Sequence, residues 1–550
     1  MLTRTRRRPA LIVIVLALAL ALVAAGCSKS SNKGGGTNPS NEGTPVAGGE
    51  VTYGLEADTT GGFCLTSAQL AISGIEVAST IYDTLVVPNQ KGDMVPFLAQ
   101  SVTPNSEATT WTIKLRPNIK FHDGTPLDAE AVKLNLDEYR KGILLQFAFP
   151  TVTDVKVVDP LTVEVDLSAP WFRFPTSLWS TGRAGIMAPA QINAGDDCKT
   201  KLIGTGPFKI AENVAGQKFV VTKNPNYWLK DKNGVQLPYL DKVTFVFQPD
   251  SAQRARSLTS GVTNLIATNS FPQIDNLGKQ SGVKLYNEPK GRREVSHLLM
   301  NVGTASVFNN QNARLAMAAA VDKKKINTIV NLGKGDLTNG PFDSDVVGAT
   351  QDTGLPTYDP AKAKQYVAAY KQESGKDLSV RLAATADPET AQIIQLVKEG
   401  GEAAGMKVEL VPEDQSTLIT DAVVGTKFDA FWWRNYPGTD PDADRVWWYS
   451  GNLTNFNKIN DPQFDEWFVQ GAASNNDEQR KQIYTDMNKR FGSQAYNVWG
   501  WFSQWSIATE SNVNGITGPN LPDESGNPGS DTPYPVFVGW HLLSGTWIKK

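Results

Sequence analysis

Cysteine and histidine are both scarce in this 550-residue chain, with three of each. Cys27, Cys64 and Cys198 are too few and too far apart for a disulfide-rich scaffold, and His122, His297 and His541 are scattered. Zinc and similar metal sites draw their ligands from short, clustered spacings, so no resident metal or other cofactor is expected. There is no Gly-x-Ser-x-Gly elbow and no His-Glu-x-x-His pair. Gly204-Thr-Gly-Pro207 lacks the Lys-Ser/Thr ending of a phosphate-binding loop, so the usual hydrolytic and nucleotide-dependent chemistries have no placed residues. The enzyme class left to weigh is an extracellular glycosidase with paired carboxylates, supported by composition alone, and we read the chain as no enzyme. Excess positive charge is missing too. Without Arg4, Arg6, Arg7 and Arg8, 49 basic side chains face 56 acidic ones, a net charge of −7 that argues against nucleic acid as a partner. Nor is there a long apolar run, the longest being the 16 residues Ala10 to Ala25. At 1.5 Å per helical residue it reaches about 24 Å, short of the ~30 Å hydrocarbon core.

That run is instead the centre of a targeting segment, residues 1–27: a basic stretch, an apolar stretch, and small residues ending at Cys27. Leu22-Val-Ala-Ala-Gly-Cys27 resembles a bacterial lipobox, which implies cleavage before Cys27 and lipidation of that residue. Arg7-Arg8 leaves general secretion and twin-arginine export both open. Ser28 to Gly49 is Ser, Gly, Asn, Thr, Pro and Lys with almost nothing apolar, so residues 28–47 read as a flexible tether. Export also decides the two remaining cysteines, since an oxidising compartment favours one Cys64–Cys198 disulfide.

The 524 residues from Cys27 onward are too many for one hydrophobic core, so at least two domains are expected. Strand patterns at 50–55, 152–158, 161–167, 218–222 and 242–247 interleave with helical ones at 129–139, 251–260, 313–321, 361–371, 389–404 and 477–491, which defines mixed α/β lobes. The most informative stretch is Trp111 to Val132. Trp111, Ile113 and Leu115 alternate with Thr112, Lys114 and Arg116 as a half-buried strand; a second short strand and turn are read at 119–124, and a helix starts at Thr125-Pro126 or at Asp128. His122 reads as a turn residue satisfied by local hydrogen bonds.

These same residues resemble the signature of the family 5 extracellular solute-binding proteins, the dipeptide- and oligopeptide-binding class that feeds ABC importers. Further matches fall in the family's order: Gly204-Thr-Gly-Pro-Phe208, Asn224-Pro-Asn-Tyr-Trp228, Tyr239 to Phe245, Asn312 to Asp322, Tyr358 to Lys364 and Asp440-Pro-Asp442. The resemblance implies a two-lobed periplasmic-binding-protein-like fold (class II, Venus-flytrap) with an extra small β-rich domain. Lobe I would comprise 48–86, 201–290 and 506–550, the insertion domain 87–200, and lobe II 291–505, with two crossovers forming a hinge near 287–292 and 501–507. It also implies a lipid-anchored monomer on the outer face of the bacterial cytoplasmic membrane that captures a solute, a peptide or peptide-like one, and hands it to an ABC permease with its ATPase subunits. Saccharides, opines and metal chelates are alternative cargoes within the family, and ligand sensing is an alternative role.

Phe428 to Tyr449 is the densest chemical stretch, a strand (428–433), a Pro/Gly/Asp turn and a helix, and eight of the 14 tryptophans lie between Trp432 and Trp505. Tryptophan offers a large stacking face with one donor. By resemblance this strand-to-turn segment lines the cleft, which nominates Trp432, Trp433, Arg434, Asn435, Tyr436 and Asp440 as ligand-binding residues, with Arg434 as a carboxylate fork. Phe63 and Cys64, after the first strand, and Arg292, with Arg293 beside it at the first crossover, are nominated on the same ground. Peptide-binding members commonly carry an aspartate three residues after a tryptophan and three before an Asp-Pro pair, where it holds the peptide's amino terminus. Here those counts land on Asn435 and Pro437, so a substitute carboxylate is needed, Asp442 or Glu56, or a ligand that is not a conventional peptide.

Overall fold

The computed structural model describes residues 42–59, 62–425, 427–436 and 438–549; Cys27, the targeting segment and Pro437 lie outside them. Three sheets organise the chain. The first has seven strands, in the order Val283–Asn287, Ser506–Glu510, Leu265–Thr268, Glu50–Leu55, Lys242–Phe247, Lys218–Lys223 and Phe208–Val214. Glu50–Leu55 pairs in parallel with the strands on both sides of it, while the outer pairs are antiparallel. Its central strand is covered on both faces, so Tyr53 and Leu55 are buried beside the equally buried Gly54.

The second sheet has six strands, in the order Asp336–Leu337, Asn497–Phe502, Val295–Met300, Ala430–Asn435, Ser379–Thr385 and Lys407–Glu413. The third is an antiparallel four-stranded sheet, Ala99–Pro104, Thr110–Leu115, Thr162–Leu167 and Val152–Asp159. Here Trp111, Ile113 and Leu115 are buried and Lys114 is exposed, the alternation of a sheet with one wet face. The chain passes between the two large sheets twice, from Asn287 to Val295 and from Phe502 to Ser506. At the first passage Gly291 has φ of 110°, and its amide donates to Asp343 Oδ2 at 2.9 Å. A Cβ there would lie 2.2 Å from the Asp345 carboxylate, so both conformation and space call for glycine.

Two readings are corrected. Residues 119–124 form a turn rather than a second strand, closed by a single bridge between Lys120 and Pro126, and the following helix, Ala129–Tyr139, is capped by Asp128, which accepts from the Ala131 amide. His122 is not satisfied locally. Its Nε2 lies 3.0 Å from the Gly206 carbonyl, and its amide donates to the Gly204 carbonyl, tying the turn to Gly204-Thr-Gly-Pro207 more than 80 residues on. Gly204 and Gly206 also let this loop lie against the helix end at Ile81, since Cβ atoms on them would fall 2.0 and 2.6 Å from Ile81 backbone atoms.

Candidate functional site

The strand that carries the nominated aromatics runs Ala430–Asn435, two residues beyond the expected start and end, so Arg434 and Asn435 belong to it. Trp432 is buried against Trp501, with ring centroids 5.2 Å apart, and donates to Ser296 Oγ at 2.9 Å. Trp433 packs on Phe431 and Phe456. Arg434 meets two of the protein's own carboxylates: Nη2 is 2.9 Å from Glu56 Oε1 and Nε 3.8 Å from Glu294 Oε2, with the guanidinium over the Trp505 ring. Burial pulls the Arg434 pKa down, but Glu56 and Glu294 outweigh it and leave the group firmly charged. Asn435 is buried.

Cys64 is joined to Cys198 by a disulfide with Cα atoms 5.1 Å apart, and Phe63 is buried with its ring edge-on to Phe219. Arg292 donates to the Thr439 carbonyl at 3.2 Å. Arg293 forms a buried fork with Asp343, at 2.8 and 3.1 Å, and reaches Asp336 at 2.7 Å.

Asp440 and Asp442 sit on one buried cation. Arg480 donates to Asp440 at 2.5 and 2.6 Å and to Asp442 at 3.2 and 3.3 Å, and Tyr484 donates to Asp442 as well. Asp440 also accepts from the Asp442 amide, so it caps the short 3-10 turn Pro441–Asp444. Burial pushes the Asp442 carboxyl upward, as does the Asp440 charge, against Arg480 and its other donors. The same pair reaches across to the segment after the four-stranded sheet. Trp171 Nε1 donates to Asp442 at 3.0 Å, Arg173 lies 3.7 Å from Asp440, and the Phe172 amide donates to the Ala472 carbonyl at 2.9 Å.

Beside this junction lies a small, partly open cavity with about 40 Å³ of room. One wall comes from Leu144 to Ala148 and Trp171 to Arg183, the other from Tyr436 to Trp447. Phe147, Trp171, Trp179, Tyr436 and Trp447 supply apolar faces, and Thr176, Ser177, Ser180, Thr181 and Thr439 supply hydroxyls. Of the nominated ligand residues Tyr436 is on this wall, with Asp442 from the substitute carboxylates; Phe63, Cys64, Arg292, Trp432, Trp433, Arg434, Asn435 and Asp440 are elsewhere. Sequence reasoning passed over Arg183, Arg445, Trp179 and Trp447. Only the last two carry an aromatic signal, and nothing local sets either arginine apart from a surface residue.

Two α/β sheets joined by two short crossovers, with a partly open cavity between distant segments, make a two-lobed fold of the kind that takes a solute between its parts. Residues 93–457 match the model for bacterial extracellular solute-binding proteins, family 5 Middle, and the chain belongs to that family. The nickel-binding periplasmic protein of Escherichia coli K12 is 26% identical over 440 residues, 76% of this chain and 82% of that one. The glutathione-binding protein GsiB of Pectobacterium atrosepticum is 28% identical over 342 residues, 62% and 64% of the two chains. Among solved structures, AgaA of Agrobacterium tumefaciens R10 with agropinic acid superposes with a TM-score of 0.79 at 24% identity, over 91% of this chain and 99% of that one. The oligopeptide-binding protein AppA of Bacillus subtilis with a nonapeptide gives 0.78 at 19% identity, over 92% and 100%.

Proposed function

We propose that this chain is the receptor component of an ABC importer for a peptide or peptide-like solute. The solute is held in the cavity between residues 144–183 and 436–447 and presented to the membrane permease, whose partner subunits hydrolyse ATP; the receptor itself breaks no bond. The observation that carries this reading is the cavity. Two segments more than 250 residues apart build it, so an occupant contacts both and favours their approach. The names of the relatives fit a cargo of this kind, since one binds glutathione, itself a peptide, and another a nonapeptide. We take lobe I as 48–86, 201–290 and 506–550, the insertion domain as 87–200 and lobe II as 291–505. The address follows from the N-terminal reading: an exported monomer on the outer face of the cytoplasmic membrane, anchored by lipid on Cys27. Among the described residues no helix is long and apolar enough to cross a membrane.

The test is mass spectrometry of whatever denaturation releases from the mature chain, residues 28–550. Short peptides support the reading. A single non-peptide compound keeps the receptor role and changes the cargo, and an empty protein that no solute stabilises removes it.

A further inference from the structure

The carboxyl ends of parallel strands from the two large sheets meet, and the protein's own side chains join them. Glu50–Leu55, Lys242–Phe247 and Leu265–Thr268 run parallel in the first sheet, and Ser379–Thr385 and Ala430–Asn435 run parallel in the second. Glu56, just past the first of these strands, meets Arg434 near the end of the last at 2.9 Å. Glu389, a few residues past Ser379–Thr385, makes the second join. Its Oε1 accepts from Ser251 Oγ at 2.8 Å and from Ser270 Oγ, both on the first sheet's side. Beside them Phe271, 5% exposed, packs into the apolar cluster of the second sheet, and Asp275 pairs with Lys334.

These groups are held in place from within their own lobes. Asp387 caps the helix Pro388–Ala403 through the Thr390 amide at 2.9 Å and accepts the Thr385 hydroxyl at 2.6 Å, which fixes where Glu389 projects. On the other side Arg254, 1% exposed, donates to the carbonyls of Gln248, Pro249 and Ala267 and so ties together the strand ends that carry Ser251 and Ser270. Burial pulls the Arg254 pKa down, the charges of Glu56, Glu389 and Asp387 oppose the fall, and Arg434 adds to it. Each lobe therefore presents donors to an acid of the other.

We infer that Glu389, bonded to Ser251 and Ser270 and acting beside the Arg434–Glu56 pair, is a closure latch: it favours the closed form by an amount that does not depend on the solute. Glu389 is a positioning residue. It lies off the cavity wall and acts on the population of the closed form, while Arg434 stands two residues before Tyr436, where that wall begins. Both contacts join one lobe to the other, so both are lost when the lobes part. A hydrogen-bonded carboxylate of this kind shifts the ratio of closed to open form by about tenfold. The inference stands on the fold and not on the cargo, so it holds whichever solute the receptor takes.

The experiment uses the mature chain, residues 28–550, stripped of bound solute by unfolding and refolding. Spin labels go on cysteines introduced at two exposed positions, one per lobe, Thr259→Cys and Gln395→Cys, while Cys64 and Cys198 stay tied to each other. Pulsed double electron–electron resonance then gives the distribution of distances between the lobes. The parent is expected to show a short-distance population, whose ratio to the longer one falls about tenfold in Glu389→Ala and by a smaller factor in Ser251→Ala. The double variant should add little to Glu389→Ala, because the two changes remove one shared contact. Glu399→Ala is the control, since Glu399 stands on the same helix and pairs at 3.7 Å with Lys325 of its own lobe, and it should leave the ratio unchanged. Melting curves show which variants fold, and Ser251→Ala keeps the Asp250 helix cap, so the test stays readable if Glu389→Ala does not fold. A parent with no short-distance population, an unchanged ratio in both Glu389→Ala and Ser251→Ala, or an equal shift in Glu399→Ala overturns the latch. Each of these results leaves the receptor reading standing, because the released solute decides that separately.

Discussion

Replacing Arg480 with methionine should be among the most damaging single substitutions in the second lobe. The side chains of Arg480 and Asp442 are each 1% exposed and that of Asp440 is 11% exposed, so this cluster sits almost wholly out of water. At ~3 Å and an effective dielectric of about 20, each guanidinium–carboxylate contact is worth about 5 kcal/mol of raw attraction, and desolvation of the three ions cancels much of it. The net worth of the intact cluster is therefore small, but removing the cation leaves two mutually repelling carboxylates with only the half-exposed Arg173, 3.7 Å from Asp440, to offset them. Breaking a buried pair in this way costs about 3–5 kcal/mol. The assay is urea denaturation followed by tryptophan fluorescence, with equal slopes required before midpoints are compared. The triple variant Arg480→Met, Asp440→Asn, Asp442→Asn removes all three charges and should recover most of the loss. Asp440→Asn alone should leave ligand affinity within about threefold, under 1 kcal/mol, because Asp440 faces Arg480 and Arg173 and is not on the cavity wall. A loss below about 1 kcal/mol for Arg480→Met, or a triple variant no more stable than the single one, refutes the view that these aspartates serve the fold.

Three further outcomes are expected. The Cys64–Cys198 bond closes a loop of 134 residues, so Cys198→Ser should cost about 3–5 kcal/mol and make the melting point insensitive to reductant; an unchanged midpoint would show the bond idle. His297 is fully buried against Trp499, and burial holds its pKa down to about 3, so the folded form resists a proton that the unfolded chain accepts near 6.5. Its stabilising contribution is thus complete above that value and is lost as pH falls from 6.5 toward 3, at up to about 1.4 kcal/mol per pH unit; urea midpoints for His297→Phe should therefore fall less steeply from pH 7 to 5 than those of the parent. Glu56→Gln removes the carboxylate that meets Arg434 across the lobes at 2.9 Å, and should lower solute affinity about 5–30-fold, with small-angle scattering reporting a larger fraction of the extended form at equal ligand.

How much of this was legible in the sequence divides along a physical line. Local rules found the elements. The period-two burial of Trp111 to Leu115 and the limits of Ala129–Tyr139 follow from residues within a few positions of one another. The helices Pro360–Ser374, Pro388–Ala403 and Pro462–Ala473 each open on an Asp-Pro step, the aspartate accepting from the first-turn amides and the proline already set to a helical φ. Asp440-Pro441 is the same device, so its cap role could be read from the dipeptide alone. What local rules miss is charge compensation. Arg434 has every mark of a ligand-binding fork until Glu56, 378 residues earlier, is folded against it. Asp442 has every mark of an amine anchor until Arg480 and Trp171 arrive from opposite directions. Arg183, by contrast, looks like any surface cation until folding buries it against the Leu70 carbonyl. Which charges are compensated is, in a protein whose cleft joins segments hundreds of residues apart, a property of the fold. The aromatic run at Phe428 to Tyr449 shows where chemistry is dense along the chain, but which of its charges folding pairs off, Arg434 with Glu56 and Asp442 with Arg480, is written in residues far from it.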